Sequence, residues 1–142
     1  MTKPVEPHAV AERELCGLVN GLAQQIADHV RHRAVPLGLT AAQATALREM
    51  TGPMTMRELA ERMSCEPSNA TFVIDKLEKQ GLVERRAHPT DRRAKHLFLT
   101  ATGGAARERL LELLAQDSPL SGLSPEQQRV LQGLLEQALT HP

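Results

Sequence analysis

The segment RRAHPTDRRAKHLFLT, residues 85–100, concentrates positive charge in a chain whose formal net charge is zero. Between residues 82 and 96, five Lys or Arg residues outnumber two carboxylates and give a local charge of +3; the remaining twelve cations and fifteen carboxylates give −3. Like charges in one short segment repel each other, and a polyanion relieves that repulsion. The pattern therefore favours an anionic partner, with a solvated charged hairpin as the alternative. The five cations are Arg85, Arg86, Arg92, Arg93 and Lys95.

A second group of residues, just before this segment, has the side-chain types that contact nucleic-acid bases. Asn69 can donate to and accept from an adenine edge, Ser68 can hydrogen-bond to a base or a phosphate, and an exposed Phe72 can lie against a thymine methyl. Lys76 lies one turn further on and suits a phosphate better than a base. The alternative is an ordinary polar face with one surface Phe. Helical spacing puts Ala70, Val73, Ile74 and Leu77 on the buried side, and Ser68, Asn69, Phe72, Lys76 and Lys79 on the other.

The elements that hold these two groups follow from hydrophobic period and from helix-breaking residues. Apolar residues at steps of three and four predict a long first helix. Capping pairs, with Pro at helix starts and Gly at helix ends, predict five more. Two β-forming segments, LVERRA and AKHLFLT, flank the turn HPTDRR. The helices are predicted from Ala9 to about Ala34, from Thr40 to Gly52, from Thr55 to the turn SCEPSN, from Pro67 to Gln80, from Thr100 to Pro119 and from Ser124 onward.

Three helices followed by a β-hairpin predict a winged helix-turn-helix, in which the last of the three helices enters the DNA major groove. The fold class is mainly α, an α+β winged helix with six helices and a two-stranded wing. A chain of 142 residues buries one core. Within this single domain, residues 37–104 are predicted to form the DNA-binding lobe, and residues 1–36 and 105–142 the dimerisation helices.

Three motifs carry a resemblance to a known family. DRRAKHLFLTATG is similar to the wing signature of the multiple antibiotic resistance regulator (MarR) family of bacterial winged-helix repressors. MTMRELAERM and VIDKLEKQGLVERR resemble the helix-turn-helix of that family in order and spacing, so the resemblance covers residues 40–104. It implies a sequence-specific transcriptional regulator, a repressor that a ligand releases from a palindromic operator in double-stranded DNA.

The resemblance also implies roles for individual residues. Arg93 matches the wing arginine that enters the minor groove, whose negative potential attracts arginine. Asp91 matches the carboxylate that orients this arginine, with a simple turn former as the alternative. Arg86, Arg92 and Lys95 match phosphate contacts. The groove-facing positions of the fourth helix correspond to Pro67, Ser68, Asn69, Thr71 and Phe72.

The outer helices predict a homodimer. The first, fifth and sixth helices carry more leucine than a three-helix core can cover, so the surplus needs a partner surface. A second copy of the chain, related by a two-fold axis, would place its recognition helix in the next major groove, ~34 Å away, which predicts the palindrome. The alternative is a monomeric bundle. In the sixth helix the residues expected inside are Val130, Leu131, Leu134, Leu135, Ala138 and Leu139.

A small aromatic or phenolic effector is a further implication of the resemblance. The end of the first helix offers His29, Arg31, His32 and Arg33 as anion partners, and no one of them is singled out. His29 and His32 also have the i, i+3 spacing of metal ligands, but no set of four ligands is completed, so surface histidines are the preferred interpretation.

The two cysteines raise the question of oxidant sensing. Cys16, in ELCGLVNGL, looks like the reactive cysteine of the hydroperoxide-sensing branch of the family, whose tyrosines activate the thiol; this chain has no tyrosine. Neither Val19 nor Asn20, one turn on, is a cation that would lower the pKa of the thiol. A buried structural Cys16 is therefore expected, and Cys65 is expected to be an ordinary turn residue.

Enzyme function is not predicted. The chain has no phosphate-cradling Gly loop, no Ser or Cys elbow and no HExxH, so no catalytic residue, cofactor or metal site is expected. No apolar run approaches the ~20 residues that span a bilayer, and no signal peptide is recognised, which predicts a cytoplasmic protein without a membrane partner. Two alternatives stay open: an oxidant-sensing repressor that uses Cys16, and a winged helix that binds protein instead of DNA.

Overall fold

The computed structural model describes residues 7–88, residue 90 and residues 95–141. Within these residues, six α-helices and one two-stranded antiparallel sheet follow each other in the predicted order. The helices are α1 (Pro7–Ala34), α2 (Ala41–Glu49), α3 (Met56–Arg62), α4 (Pro67–Lys79), α5 (Ala101–Ala115) and α6 (Pro125–Leu139), and the strands are β1 (Val83–Ala87) and β2 (Lys95–Leu99). None of the helices in these ranges has the length and apolar character needed to cross a membrane.

Helix starts are fixed by the predicted side-chain caps. The Thr40 hydroxyl accepts from the Gln43 backbone N–H at 3.2 Å, and the Gln43 side chain accepts from the Thr40 N–H at 3.0 Å, which completes a capping box. Ser124 makes the same kind of box at the start of α6. For α3, Thr55 accepts from the Glu58 N–H at 3.1 Å, but the return bond of the predicted box is not among the contacts of these two described residues.

Gly81 turns the chain from α4 into β1. Its φ of 76° lies in the left-handed region, which a residue without a Cβ adopts at little cost. The Leu82 N–H then donates to the Leu77 carbonyl at 3.0 Å, closing the end of the helix. The predicted C-terminal glycine is confirmed, and it brings the recognition helix and the wing together within one turn.

The chain divides into two compact units. Residues 27–116 form one unit, and the described residues before 27 join those after 116 in the other. In the first unit α2, α3 and α4 pack around a leucine-rich core. Burial of each such side chain contributes about 2 kcal/mol, so this unit holds α4 firmly. The fully buried side chains include Leu47, Leu59, Ile74, Leu77, Leu97 and Leu110.

The wing is fastened to the helix-turn-helix by backbone hydrogen bonds. Val83 pairs with Leu99 at the base of the hairpin. On the other edge of β2, the Leu97 N–H donates to the carbonyl of Met54 at 2.7 Å, and Met54 N–H donates back at 3.4 Å. The segment between α2 and α3 therefore pairs with the second strand of the wing, and both belong to the same compact unit.

Arg107 joins α5 to the same unit. Its Nε donates to the Leu47 carbonyl at 2.9 Å, and its Nη2 donates to the Arg48 carbonyl at 3.0 Å. These carbonyls lie in the last turn of α2, where the regular i→i−4 bonds of a helix run out; the Leu47 carbonyl also accepts from the Met50 N–H at 3.2 Å. The guanidinium therefore acts as a C-terminal cap supplied by another element.

The second unit presents an uncovered apolar face. None of the residues 125–139 of α6 is buried, and the exposed side chains include Val130, Leu134 and Leu139. The expectation that the apolar residues of this helix lie inside is wrong for a single chain, because the described residues leave every one of them at least partly exposed. Leu15 and Leu18 of α1 are exposed as well.

Candidate nucleic-acid interface

The outward face of α4 is the first part of the site. Ala70, Ile74 and Leu77 are fully buried, which confirms the predicted inner side of the helix. Pro67 occupies the first turn, where its missing N–H costs no hydrogen bond. The residues predicted to face the groove are all exposed: Pro67, Ser68, Asn69, Thr71 and Phe72.

Phe72 lies at the centre of this face. Its side chain is 61% exposed, and the Lys76 Nζ lies 4.5 Å from the ring centroid, within the range of a cation–π contact. Lys76 therefore covers part of the ring and leaves the rest to solvent. This contact was not predicted, although an i, i+4 spacing of Phe and Lys on a helix is the sequence signal for it.

Two polar side chains on this face differ in availability. The Thr71 hydroxyl donates to the Pro67 carbonyl at 2.9 Å, so its proton is used within the helix and its oxygen is left as an acceptor. No hydrogen bond within the described part of the chain engages the Asn69 amide, so both its donor and its acceptor are open to a base edge.

The wing supplies the second part of the site. Arg86 is exposed, pairs with Glu84 at 2.6 Å, and stacks on Phe98 with its guanidinium carbon 4.4 Å from the ring centroid. Lys95 is exposed and lies opposite Ala87 in the hairpin. Arg86 and Lys95, the two described residues among the predicted phosphate contacts, thus lie on paired strands. Three further predicted residues, Asp91, Arg92 and Arg93, lie outside the described residues.

Two features of the wing were missed in the sequence. The rings of His88 and His96 are in contact at a tilt of 46°, with centroids 4.5 Å apart, and the His88 Nδ1 lies 2.8 Å from the Thr90 hydroxyl. Arg85 does not project freely but pairs with Asp75 and Glu78 of α4. Of the three cations that the structure describes in this segment, Arg86 and Lys95 are exposed and Arg85 is engaged with the recognition helix.

Of the predicted effector residues, Arg31, His32 and Arg33 lie in the last turn of α1, and His29 lies just before it. The His29 Nε2 lies 2.8 Å from the Leu114 carbonyl of α5, so that ring already has a partner within the unit. Arg31 pairs with Asp28 at 3.3 Å, His32 is exposed and Arg33 is half-buried. His29 and Arg31 thus have separate partners, Leu114 and Asp28, and no group of three metal-ligating residues occurs among the residues that the structure describes.

The cysteines lie in different environments. Cys16 is exposed on α1, so the expectation that it is buried is wrong; the helix face that carries it has no covering element in the unit. Cys65 is half-buried, and its backbone N–H donates to the Ala60 carbonyl at 3.0 Å in the turn before α4. That geometry fits the expected turn residue.

An exposed face of α4 beside a hairpin with exposed cations is the arrangement of a winged helix-turn-helix. The MarR family model matches residues 39–95 of this sequence. The chain belongs to the MarR family of HTH-type transcriptional regulators.

Similar proteins share both sequence and fold. The HTH-type transcriptional repressor MdtR of Bacillus subtilis is 33% identical over 95 residues, which cover 66% of this chain and 61% of that protein. The chain therefore spans about three fifths of the length of the curated relatives it matches first.

Two solved structures extend the likeness. A mutant of MarR from E. coli, complexed with operator DNA, superposes with a TM-score of 0.71 at 28% identity and covers 89% of this chain and 94% of that one. The Mycobacterium tuberculosis MarR family protein Rv2887, in complex with p-aminosalicylic acid, superposes with a TM-score of 0.68 at 29% identity, covering 89% and 98% of the two chains.

Proposed function

We propose that this protein is a transcriptional repressor that binds a palindromic operator as a homodimer and is released by a small organic effector. The single observation that carries the proposal is the exposed face of α4 beside the outward cations of the wing. Base-contacting and phosphate-contacting groups are thus offered to one duplex together.

In this proposal α4 enters the major groove. The Asn69 amide pairs with an adenine edge, the exposed part of Phe72 lies against a thymine methyl, and Lys76 reaches a phosphate. Ser68, with its hydroxyl near the helix start, contacts a base or the backbone. Pro67 and Thr71 pack along the groove wall as non-polar surface.

The wing follows the backbone into the neighbouring minor groove. Arg86 and Lys95 contact phosphates, for which their exposed positions on the paired strands suit them. Arg92 is assigned to a third phosphate, Arg93 to the floor of the minor groove, and Asp91 to the orientation of Arg93.

The exposed leucines of α1 and α6 support the homodimer. Single chains rarely expose contiguous apolar surface of this kind. In a homodimer the same surface of a second copy covers it, so no other protein is needed. Residues 1–36 and 105–142 are assigned to this assembly, and residues 37–104 to the DNA-binding lobe.

The effector is proposed as an aromatic or phenolic acid. The similar Rv2887 is in complex with p-aminosalicylic acid, and the last turn of α1 carries basic side chains that suit an anion. His29, Arg31, His32 and Arg33 are all retained as candidate anion partners; the His29 ring is engaged by the Leu114 carbonyl, and Arg31 pairs with Asp28.

Exposure of Cys16 favours a second candidate function, an oxidant-sensing repressor. A thiol must be accessible before it reacts with a peroxide, and Cys16 meets that condition. Loss of operator binding on peroxide treatment of the parent, but not of Cys16→Ser, supports this function; equal behaviour of the two proteins excludes it.

Selection of duplexes from a randomised library by the purified full chain tests the proposed function. The expected result is a palindrome with half-sites about one helical turn, ~34 Å, apart. Failure to enrich any sequence contradicts it. A winged helix that binds only protein would give that failure and would lack the steep salt dependence of phosphate contacts.

A further inference from the structure

Arg85 is distinguished from its neighbours by the direction of its side chain. Successive residues of a strand point to opposite faces, so that Arg86 faces Phe98 while Arg85 faces α4. The Arg85 Nη2 lies 2.5 Å from the Asp75 Oδ1, and its Nη1 lies 3.4 Å from the Glu78 Oε1. The Arg85 side chain is 27% exposed, and we call the three residues the Arg85 clamp.

The clamp changes the charge that α4 presents to a duplex. The outward side of the helix carries two lysines, Lys76 and Lys79, and two carboxylates, Asp75 and Glu78, all exposed. Without Arg85 these four charges cancel, whereas with the clamp the single positive charge of Arg85 offsets one of the two carboxylate charges and leaves this side of α4 with a net charge of +1. Asp75 lies three residues after Phe72, on the adjacent part of the surface that would approach the groove.

An uncompensated carboxylate at this position works against DNA binding. The Debye length is about 8 Å at physiological ionic strength, so a carboxylate at the edge of the groove still repels the nearest phosphates. The clamp also ties the middle and end of α4 to β1, and so fixes the recognition helix relative to the wing.

We propose that Arg85 is a positioning residue for DNA binding, which offsets one of the two negative charges of Asp75 and Glu78 and does not itself contact a phosphate. This inference rests on the proposed function and deepens it, because it separates the cations of the segment into those that contact DNA and one that prepares the recognition helix. Neither charge counting nor the family motif distinguishes the two kinds.

The test is a rescue experiment with the full chain. Affinity for a fluorescein-labelled duplex carrying the selected operator is measured by anisotropy for the parent, Arg85→Gln, the double variant Asp75→Asn/Glu78→Gln, and the triple variant. Arg85→Gln is expected to weaken binding about tenfold, since like charge then faces the phosphates. The triple variant is expected to bind within about threefold of the double variant, because no carboxylate is left to neutralise.

The outcomes separate this inference from the function on which it rests. If the triple variant stays about tenfold weaker than the double variant, Arg85 contacts a phosphate and the inference is wrong, while the proposed function stands. If the parent selects no duplex, both fail. Arg109→Gln, which breaks a comparable exposed pair with Glu112 at 3.1 Å on α5, controls for the loss of one cation and is expected to leave binding within twofold.

Folding does not obscure the comparison. Arg85 is half-buried, but its two carboxylate partners are 50% and 40% exposed, and ion pairs with such access to water contribute little to stability, so Arg85→Gln is expected to melt within a few degrees of the parent in circular dichroism. Should that variant unfold, the double and triple variants still decide the matter, because neither contains an uncompensated carboxylate.

Discussion

At the scale of single residues, Phe72 gives the most specific prediction about which DNA sequence the protein prefers. Its ring is exposed on the recognition helix and partly covered by Lys76, so the free part is an apolar surface beside the open amide of Asn69. An apolar surface in the major groove recognises the one apolar group there, the C5-methyl of thymine.

Replacement of thymine by deoxyuridine tests this contact atom by atom. At one position in each half-site, removal of the methyl is expected to weaken binding of the parent by about 1 kcal/mol, the value of one buried methyl group. Phe72→Ala is expected to bind both duplexes equally at that position. Anisotropy titrations measure the effect, and equal sensitivity of parent and variant to the methyl would place Phe72 away from the base.

Arg93 gives a second residue-scale prediction. Arg93→Ala is expected to weaken operator binding by about 1–3 kcal/mol while leaving the fold and the dimer intact, since it removes a minor-groove contact only. Titration of a labelled operator, alongside light scattering for mass, checks both parts. Binding as tight as that of the parent would show that the assigned wing role is wrong.

At the scale of elements, the first turn of α5 packs against the backbone of Leu82, the residue before β1. A Cβ built on Gly103 would lie 1.8 Å from the Leu82 carbonyl oxygen, a backbone atom, whereas a Cβ on Gly104 meets nothing within 4 Å. The Leu82 carbonyl also accepts from the Thr100 N–H at 3.0 Å. The helix therefore lies so close to the base of the wing that only a residue without a Cβ fits at position 103.

Two alanine substitutions one residue apart form a matched test of this approach. Gly103→Ala is expected to lower the free energy of unfolding by about 2–3 kcal/mol, because the backbone must shift to admit the methyl group. Gly104→Ala is expected to raise it by about 0.5–1 kcal/mol through helix propensity. Urea denaturation measures both, and a neutral Gly103→Ala would show that α5 does not pack as closely as described.

The elements were predictable from sequence because their signals are local. The capping pair Thr40 and Gln43 predicts the start of α2, and Gly81 predicts the end of α4. Each of these signals spans only a few residues. What escaped prediction joins distant residues, such as Arg107 capping α2 or Arg85 pairing with α4. Charge patterns along the chain do not say which partner a folded backbone brings near.

The site shows the same division. The helical period of the apolar residues predicts which side of α4 faces the groove. It does not predict the exposure of Cys16, because such a period shows which side of a helix is apolar and not which element covers that side. The burial expected for α6 failed for the same reason. An apolar face that packs between chains and one that packs within a chain have the same sequence pattern.

At the scale of the whole molecule, the uncovered apolar residues of α6 are expected to be buried between two copies. Leu134 is 59% exposed in the single chain, so a charge there meets water in a monomer but apolar surface in a dimer. Leu134→Glu is expected to reduce the mass in sedimentation equilibrium from twice 15.6 kDa to 15.6 kDa at micromolar concentration.

Arg129→Glu, a change at an exposed position that the helical period places on the other side of α6 from Leu134, serves as the control and is expected to stay dimeric. A parent protein that sediments as a single chain would contradict the dimer. A dimer untouched by Leu134→Glu would move the interface away from this face of α6.

The most direct test of the account is the affinity of the full chain for its selected duplex across a salt series. Two copies that neutralise several phosphates are expected to lose at least about a hundredfold in affinity between 50 and 200 mM salt, with two chains bound per palindrome. No binding to any duplex above background, even in dilute buffer, would contradict the claim that the wing and α4 together form a DNA interface.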